Sequence, residues 1–396
     1  MSAQERDAPS TFILLSDYER PPLPTNERMR RLVARLLTFV KRRKTKPFIA
    51  DDRLARSTIE TLDTVVAPPA CGPLLEEMGA TVRDWRAGVE AARCQSRLLL
   101  VMPPCDGGHV LNVFAEREGL QILAPPERER LVSLAAHELP DLSGEGVLVV
   151  PQLERWFLRQ RNGLRLVRRL FAAIDTSERP VIVGCNSWAW AYLSRAVEAD
   201  ALLPDPRIFR AFDADRLHLW FSDLARDEAT KGVRFRLPET GADVLERDEE
   251  GGLASDFLHS LAGKSRGIPW VAWHLWRRSL RSEQEPSLAE ETGEAVTGGD
   301  RAGEQTLWVA ALDEYVLPGV HEQTALLILH ALLLHGGLTV HELRLVLPTV
   351  GESNIMPVLA ASGFVERREG AFHVRPAAYP AVRAGLAEAG YPMDGV

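Results

Sequence analysis

The stretch Pro103–Val110, PPCDGGHV, comes nearest in residue types and spacing to a site for chemistry. It follows the apolar run Leu98–Met102 and leads into residues that suit a helix. A loop that holds phosphate groups between a strand and a helix reads G-x-x-x-x-G-K-[ST], and here the pattern is P-x-x-x-x-G-H-V. Gly107 and Gly108 still offer backbone N–H groups ahead of a helix, where an anion can bind.

Hydrolysis of a bound nucleotide needs more than the loop. The loop lysine and hydroxyl contribute charge and a magnesium ligand, and acids after a second strand hold the metal and orient water. The corresponding residues here are His109, Val110, Pro151 and Gln152. All of these contributions are missing together, so the sequence predicts no hydrolysis. Nucleotide binding without turnover and a purely structural turn both stay open.

Alternating apolar runs and helical stretches surround the loop from Leu98 to Pro238. Apolar runs without alternation, separated by helices, indicate strands that are buried on both faces of a parallel sheet. The sequence therefore predicts the α/β class, with a parallel sheet flanked by helices. The predicted strands are Leu98–Met102, Gln121–Leu123, Gly146–Val150 and Val181–Gly184, with helices such as Arg128–His137 and Glu154–Ile174 between them.

The sequence pattern predicts a basic amphipathic helix near the N-terminus, at Asn26–Lys46. From Arg28 to Lys46 there are nine Lys or Arg residues and no acid. Such a helix can lie on an anionic membrane, contact nucleic acid or dock on a protein partner, and a helix packed on its own domain is the alternative. The candidate partner-binding residues are Arg28, Arg31, Arg35, Lys41, Arg42, Arg43 and Lys44.

The C-terminal half divides into three parts. Residues 253–281 read as two helices joined at Gly263–Pro269. Ser282–Gln305 contains seven acids and one arginine, which predicts a disordered linker or insert whose cleavage would leave two compact fragments. The last part, from about His321 to Tyr391, reads as three helices followed by two short strands. Its third helix, about Glu352–Ser362, has no Lys or Arg, which favours a protein contact over DNA.

Composition limits the classes of function. The chain has 396 residues, 45% hydrophobic and 26% charged, and a net charge of −8, which argues against a surface that binds nucleic acid throughout. The four cysteines are scattered and predict neither a zinc site nor disulfides. His330, His335 and His341 are not grouped with the acidic or cysteine residues that a metal site would need. With no secretion signal and no long apolar run, we expect a cytoplasmic protein, peripheral to a membrane or nucleic acid at most.

The order of these elements resembles an AAA+ P-loop ATPase, most closely the origin-recognition and STAND-type branches, with a C-terminal winged-helix domain. The resemblance covers roughly residues 75–280 for the ATPase and 305–391 for the tail. It implies that Asn186 lies where such ATPases sense the γ-phosphate. It also implies that AGKSRGIPWVAWHLWRRSL is a lid helix, with Lys264 or Arg266 as the second sensor. ATP or ADP, if bound, would then be held by Gly107, Gly108, His109, Asn186 and Arg266.

The sequence thus favours a catalytically degenerate AAA+-like scaffold or regulatory subunit in a larger assembly. A nucleotide-binding switch and a DNA-associated factor that uses the basic helix are the alternatives, and a homo-oligomer is open. Neither a catalytic residue nor a metal site is predicted. The predicted domains are an arm and basic helix (1–46), an α/β domain (47–240), a helical lid (241–281), the acidic segment (282–305) and a winged-helix domain (306–396).

Overall fold

A computed structural model describes residues 12–24, 54–56, 72–107, 109–132, 139–225, 233–283, 305–312, 315–319, 322–348 and 354–396. The strands are β1 (Ile13–Leu14), β2 (Leu54–Arg56), β3 (Arg97–Met102), β4 (Gln121–Ile122), β5 (Leu148–Val150), β6 (Val181–Asn186), β7 (Arg207–Ile208), β8 (Val233–Arg236), β9 (Leu280–Glu283), β10 (Gln305–Val309), β11 (Val365–Arg368) and β12 (Ala371–Val374). The helices are α1 (Gly72–Glu90), α2 (Val110–Arg117), α3 (Arg128–Val132), α4 (Arg165–Thr176), α5 (Ser187–Val197), α6 (Ala199–Leu202), α7 (Ala214–Ala225), α8 (Phe257–Ser265), α9 (Pro269–Ser279), α10 (Glu322–His335), α11 (Val340–Val346), α12 (Ile355–Ala361) and α13 (Tyr379–Glu388).

The chain forms two compact units, each made of more than one stretch of sequence. The first unit contains residues 1–19, 70–210 and 315–396, and the second contains residues 20–69 and 211–314. The C-terminal segment, residues 315–396, therefore belongs to the same unit as the loop strand. Residues 306–314, predicted to open the last domain, belong to the second unit.

The first unit is built on a mixed sheet in the order β1-β7-β3-β6-β5-β4. Its central strands are parallel, with Leu99 opposite Val183 where β3 pairs with β6, and only β1 runs antiparallel. Every residue of β6, and all of β3 but Arg97, is buried, as the unbroken apolar runs predict. The predicted α/β class with a parallel-rich sheet is confirmed.

One predicted helix begins later than the pattern suggested. Glu154–Ile174 was expected to be helical, but a 3₁₀ turn at Leu153–Arg155 is followed by an irregular stretch, and α4 begins at Arg165. The chain folds back on itself there, because the Leu158 N–H donates to the Gly163 carbonyl at 3.2 Å. A Cβ at Gly163 would overlap the Leu158 carbonyl, so this turn requires glycine.

The second unit has its own sheet, in the order β2-β9-β10-β8. β10 runs antiparallel to β9 and parallel to β8. Trp276 of α9 forms part of its core, stacked on Phe221 with ring centroids 3.9 Å apart. Ser282 and Glu283 lie in β9 and Gln305 begins β10, so residues 284–304 of the predicted acidic segment connect two neighbouring strands of one sheet.

The C-terminal segment contains α10, α11, α12, the hairpin β11–β12 and α13. α11 begins with a capping box, in which Thr339 accepts from the Glu342 N–H and the Glu342 carboxylate accepts from the Thr339 N–H. α13 was not predicted. In the described part of the chain no helix has the length and apolar character needed to cross a membrane. The basic helix predicted at Asn26–Lys46 lies outside the described residues.

Candidate functional site

The candidate site lies at the carboxyl ends of β3, β5 and β6. β3 and β6 are neighbours, and the chain leaves them in opposite directions across the sheet, from β3 towards β4 and from β6 towards β7. In open parallel sheets, ligands bind in the crevice at such a point. The loop after β3, Pro151 and Gln152 after β5, and Asn186 at the end of β6 therefore share one edge.

The loop after β3 supplies its own anion to the helix that follows. The Asp106 carboxylate accepts from the Val110 N–H at 2.9 Å, at the first residue of α2. A helix N-terminus attracts negative charge, and this carboxylate takes an amide that a phosphate would use. His109, which precedes the helix, has a left-handed backbone with φ of 46°. One backbone amide that a phosphate would use is thus already occupied.

The loop also contacts the hairpin of the C-terminal segment. A Cβ at Gly107 would overlap the Arg368 guanidinium, so the hairpin arginine lies directly against the loop backbone. Arg368 is also paired with Glu366, with Nε and Oε1 3.0 Å apart. Glycine at position 107 is explained by this close approach.

His109 and Gln152 stand where a hydrolytic site would have a lysine and an acid, and they bond to each other. The Gln152 Nε2 lies 2.8 Å from His109 Nδ1. An amide N–H that donates to an imidazole nitrogen satisfies both groups without a metal or a phosphate. Neither side chain provides the fixed positive charge or the carboxylate that phosphoryl transfer uses.

Asn186 uses its side chain entirely within the protein. Its Oδ1 accepts from the Ala189 N–H at 2.8 Å and so caps α5. Its Nδ2 donates to the carbonyls of Leu333 and Leu334 at 3.2 and 3.5 Å, at the end of α10. The residue expected to sense a γ-phosphate instead recognises a helix terminus of the same chain.

Glu154 is the acidic group nearest to Asn186. Its Oε2 accepts from the Asn186 N–H at 3.0 Å, and its side chain lies beside Gly336 at the end of α10. Burial raises the pKa of Glu154 to about 6, against hydrogen bonds and the charges of Arg128 and Arg155, which lower it. This carboxyl group fixes the end of β6 through the Asn186 N–H.

Arg128, the first residue of α3, binds the end of α10. Its guanidinium donates to the Gly337 carbonyl at 2.5 Å and to the His335 carbonyl, and it pairs with Glu342 at 3.4 Å. A cation is favourable at a helix C-terminus, where the last carbonyls lack partners within the helix. Burial lowers the pKa of Arg128 and the Glu342 carboxylate raises it.

A second set of contacts holds the C-terminal segment near α5. The Ser187 hydroxyl donates to Asp394 at 2.5 Å, and Asp394 also pairs with Arg383 of α13. The Trp188 Nε1 donates to the Tyr379 hydroxyl at 3.3 Å. Asp394 is 5% exposed. The segment is therefore packed on the sheet by buried polar contacts as well as apolar ones.

What remains of the cleft offers about 70 Å³ to the centres of water-sized molecules. Sites for small-molecule ligands have volumes of about 300–1,000 Å³. Among the described residues no group of three or more His, Cys, Asp or Glu side chains is placed to hold a metal ion. The cleft lining includes residues of the loop, of β5 and β6 and of the C-terminal segment, among them Cys105, His109, Gln152, Glu154, Asn186, Gly336, Arg368 and His373.

The predicted site residues fall into three groups. Gly107, His109 and Asn186 lie in the first unit at the cleft. Arg266 belongs to the second unit, where it ends α8 with a φ of 60°. Gly108 and the predicted partner-binding residues lie outside the described residues. Asp106 and Arg128 were not predicted. An acid in a loop just before a helix is a signal that could have identified Asp106, whereas the partners of Arg128 lie more than 200 residues away.

Comparisons with known proteins give little further information. No protein-family model matches the chain, and no curated protein matches it. Two single-residue variants of RuvB from Thermotoga maritima are similar in structure, each with a TM-score of 0.31. The first is 13% identical and the alignment covers 88% of this chain and 99% of that one, while the second is 12% identical with 82% and 98% covered. At this TM-score and identity, neither comparison assigns a fold family or a function.

Proposed function

We propose that this chain is a non-hydrolysing, AAA+-like protein that acts as a scaffold or regulatory subunit through protein contacts. Its C-terminal segment stands in the cleft where a nucleotide would bind. The observation that carries the proposal is the pair of bonds from the Asn186 amide to the carbonyls of Leu333 and Leu334. A side chain committed to a helix end is not available to sense a phosphate.

Displacing the C-terminal segment would be costly. A nucleotide in the cleft would have to part Asn186 and Arg128 from the carbonyls at the end of α10. Each buried polar group left without a partner costs about 1–3 kcal/mol. That cost would weaken the apparent affinity for nucleotide by the same free energy. The contacts of Asn186 and Arg128 with the end of α10 therefore oppose the alternative of a nucleotide-driven switch.

The finer fold assignments belong to the same proposal. We assign α8 and α9 as the counterpart of a helical lid. The helices α10, α11 and α12 with the hairpin β11–β12 are assigned as a winged-helix domain, on the order of three helices and two antiparallel strands. In this assignment the wing is the hairpin that places Arg368 against the loop.

The C-terminal segment suits a protein partner better than nucleic acid. α12, the third helix of the proposed winged helix, reads IMPVLAA and carries no charge. Its Val358 is 43% exposed. Nucleic-acid backbones are met by lysine and arginine, which this helix does not provide. Partner contact through the basic residues Arg28–Lys46 rests on the sequence alone.

The proposal is tested by nucleotide binding and partner association in one experiment. The purified chain is titrated with MgATP and MgADP by calorimetry, and partners are recovered from cells of its source organism with and without ATP. We expect no saturable nucleotide binding and association that is independent of nucleotide. The variant Asn186→Ala should also fail to bind nucleotide, and it should unfold more easily. Stoichiometric nucleotide binding that Asn186→Ala abolishes, or association that requires ATP, would overturn the proposal.

A further inference from the structure

A second concentration of positive charge in the sequence, distinct from the N-terminal basic segment, lies in the first unit. Between Arg155 and Ile174 there are six arginines, no lysine and no acid, in a chain of net charge −8. Four of the arginines are exposed in and just before α4: Arg161, Arg165, Arg168 and Arg169. Residues four apart on a helix share a face, so Arg165 and Arg169 point the same way. We call these four residues and Tyr192 the arginine surface.

The three arginines of α4 lie at an unfavourable place in that helix. α4 has no acid in its first turn, and Leu164, at its N-cap, makes no side-chain cap. Positive charges at the positive end of a helix dipole are destabilising, as are like charges four residues apart. α11, by contrast, begins with a complete capping box. The N-terminal end of α4 therefore presents arginine side chains where other helices present an acid or a cap.

An aromatic ring lies among the arginines. Burial raises the pKa of Tyr192 of α5, and the charges of Arg159 and Arg168 lower it. Its ring stacks on Phe157, with centroids 5.5 Å apart and planes 15° from parallel. The Arg168 Nη2 donates to the Ala196 carbonyl of α5 at 3.3 Å. Arg168 of α4 therefore contacts α5 one turn after Tyr192.

We infer that the arginine surface binds single-stranded nucleic acid. Arginine meets phosphate with two parallel hydrogen bonds, and all the cations here are arginines. Aromatic side chains beside basic residues provide stacking for unpaired bases. An acidic polypeptide would satisfy the charges, but it would make no use of the ring. This activity goes beyond the proposed function and requires nothing of the cleft.

The test measures binding of a fluorescein-labelled oligo-dT 20-mer to the full chain by anisotropy over a range of salt concentrations. The variant is Arg161→Glu with Arg165→Glu. The matched control is Arg86→Glu with Arg93→Glu, which changes the net charge equally at exposed positions in and after α1. We expect the variant to bind about tenfold more weakly or worse, and the control to stay within about twofold. The slope of log K against log salt should fall by about 1.4, because each lost contact on a single strand contributes about 0.7.

Further arms separate the remaining explanations. The milder pair Arg161→Gln with Arg165→Gln should show a smaller loss in the same direction, with thermal unfolding as a check on the fold. Tyr192→Leu should weaken binding about fivefold or more, because stacking contributes about 1–3 kcal/mol per base. Equal losses in variant and control would show only an effect of net charge and overturn the inference. So would unchanged binding in all variants, or displacement of the oligonucleotide by poly-L-glutamate at equal charge concentration.

Discussion

At the scale of single residues, the cleft is defined by side chains that bond to the protein instead of a ligand. Asp106 caps α2, Gln152 bonds to His109, and Asn186 bonds to the end of α10. The Val110 N–H that Asp106 occupies and the side-chain amides of Gln152 and Asn186 are donors that a phosphate could use. Each of these groups is instead hydrogen-bonded to a partner in the same chain, at a distance of 3.2 Å or less.

Glu154 gives this arrangement a pH dependence. Its pKa rises from 4.5 to about 6 in the folded chain. Between these values the folded state holds a proton that the unfolded state loses, so the contribution to stability is present at low pH and lost as the pH rises through about 6. Urea denaturation of the wild type and of Glu154→Gln from pH 4.5 to 7.5 should show it. We expect wild-type stability to fall by about 2 kcal/mol relative to the variant.

The comparison with Glu154→Gln removes the contribution of the buried histidines. Burial lowers the pKa of His330 to about 4 and that of His335 well below its usual value, so these residues stabilise the fold less as the pH falls. This opposite effect is present in both proteins and cancels in the difference. If the difference instead grew in favour of the wild type at higher pH, the ionised carboxylate would be the stabilising form.

At the scale of elements, α10 is the helix whose end fills the cleft, and Arg128 holds that end. Replacing Arg128 with Met leaves the Gly337 and His335 carbonyls and Glu342 without their common donor. We expect the free energy of unfolding to fall by about 2–4 kcal/mol. Hydrogen exchange should also quicken selectively in the last turn of α10.

Arg130→Met is the matched control for Arg128→Met. Arg130 lies two residues later on α3, its side chain is 72% exposed, and it is 3.7 Å from Glu127. An exposed ion pair of this kind contributes little, so the loss should stay below about 1 kcal/mol. Similar losses for the two variants would mean that α3 matters as a helix and that the contact with α10 does not.

The strands were the elements that could be predicted best from the sequence. Continuous apolar runs such as Leu98–Met102 allow little except a strand buried on both faces, and β3 matches it closely. The start of α4 was predicted too early. The helical spacing of apolar residues continues before Arg165, but the turn at Gly163 keeps those residues out of the helix. Periodicity records which side chains are apolar and says nothing about a reversal of the backbone.

The positions of three cleft residues could be predicted from the sequence, but their contacts could not. His109, Gln152 and Asn186 were identified from their places after strands, and the structure brings all three to one edge. Their partners could not be identified, because Arg128 meets Gly337 across 209 residues and Asn186 meets Leu333 across 147. Contacts at such separations depend on tertiary packing, which a local pattern of residue types does not encode.

At the scale of the whole molecule, the chain passes between the two units more than once. Residues after the acidic segment contribute β10 to the second unit and the C-terminal segment to the first. Neither unit is therefore complete without chain from both sides of residues 284–304. This organisation differs from a row of domains joined by linkers, and it can be tested by cutting the chain there.

A recognition sequence for a specific protease, placed within residues 284–304, allows that cut in the folded protein. We expect the two pieces to elute together in size-exclusion chromatography, because β10 of the second piece lies between β9 and β8 of the first. The C-terminal segment adds the bonds from Arg128, Asn186 and Ser187. Urea should separate the pieces, and the uncut protein with the same insertion is the control. If the pieces elute apart without denaturant, the strand pairing between β9 and β10 does not hold the second unit together.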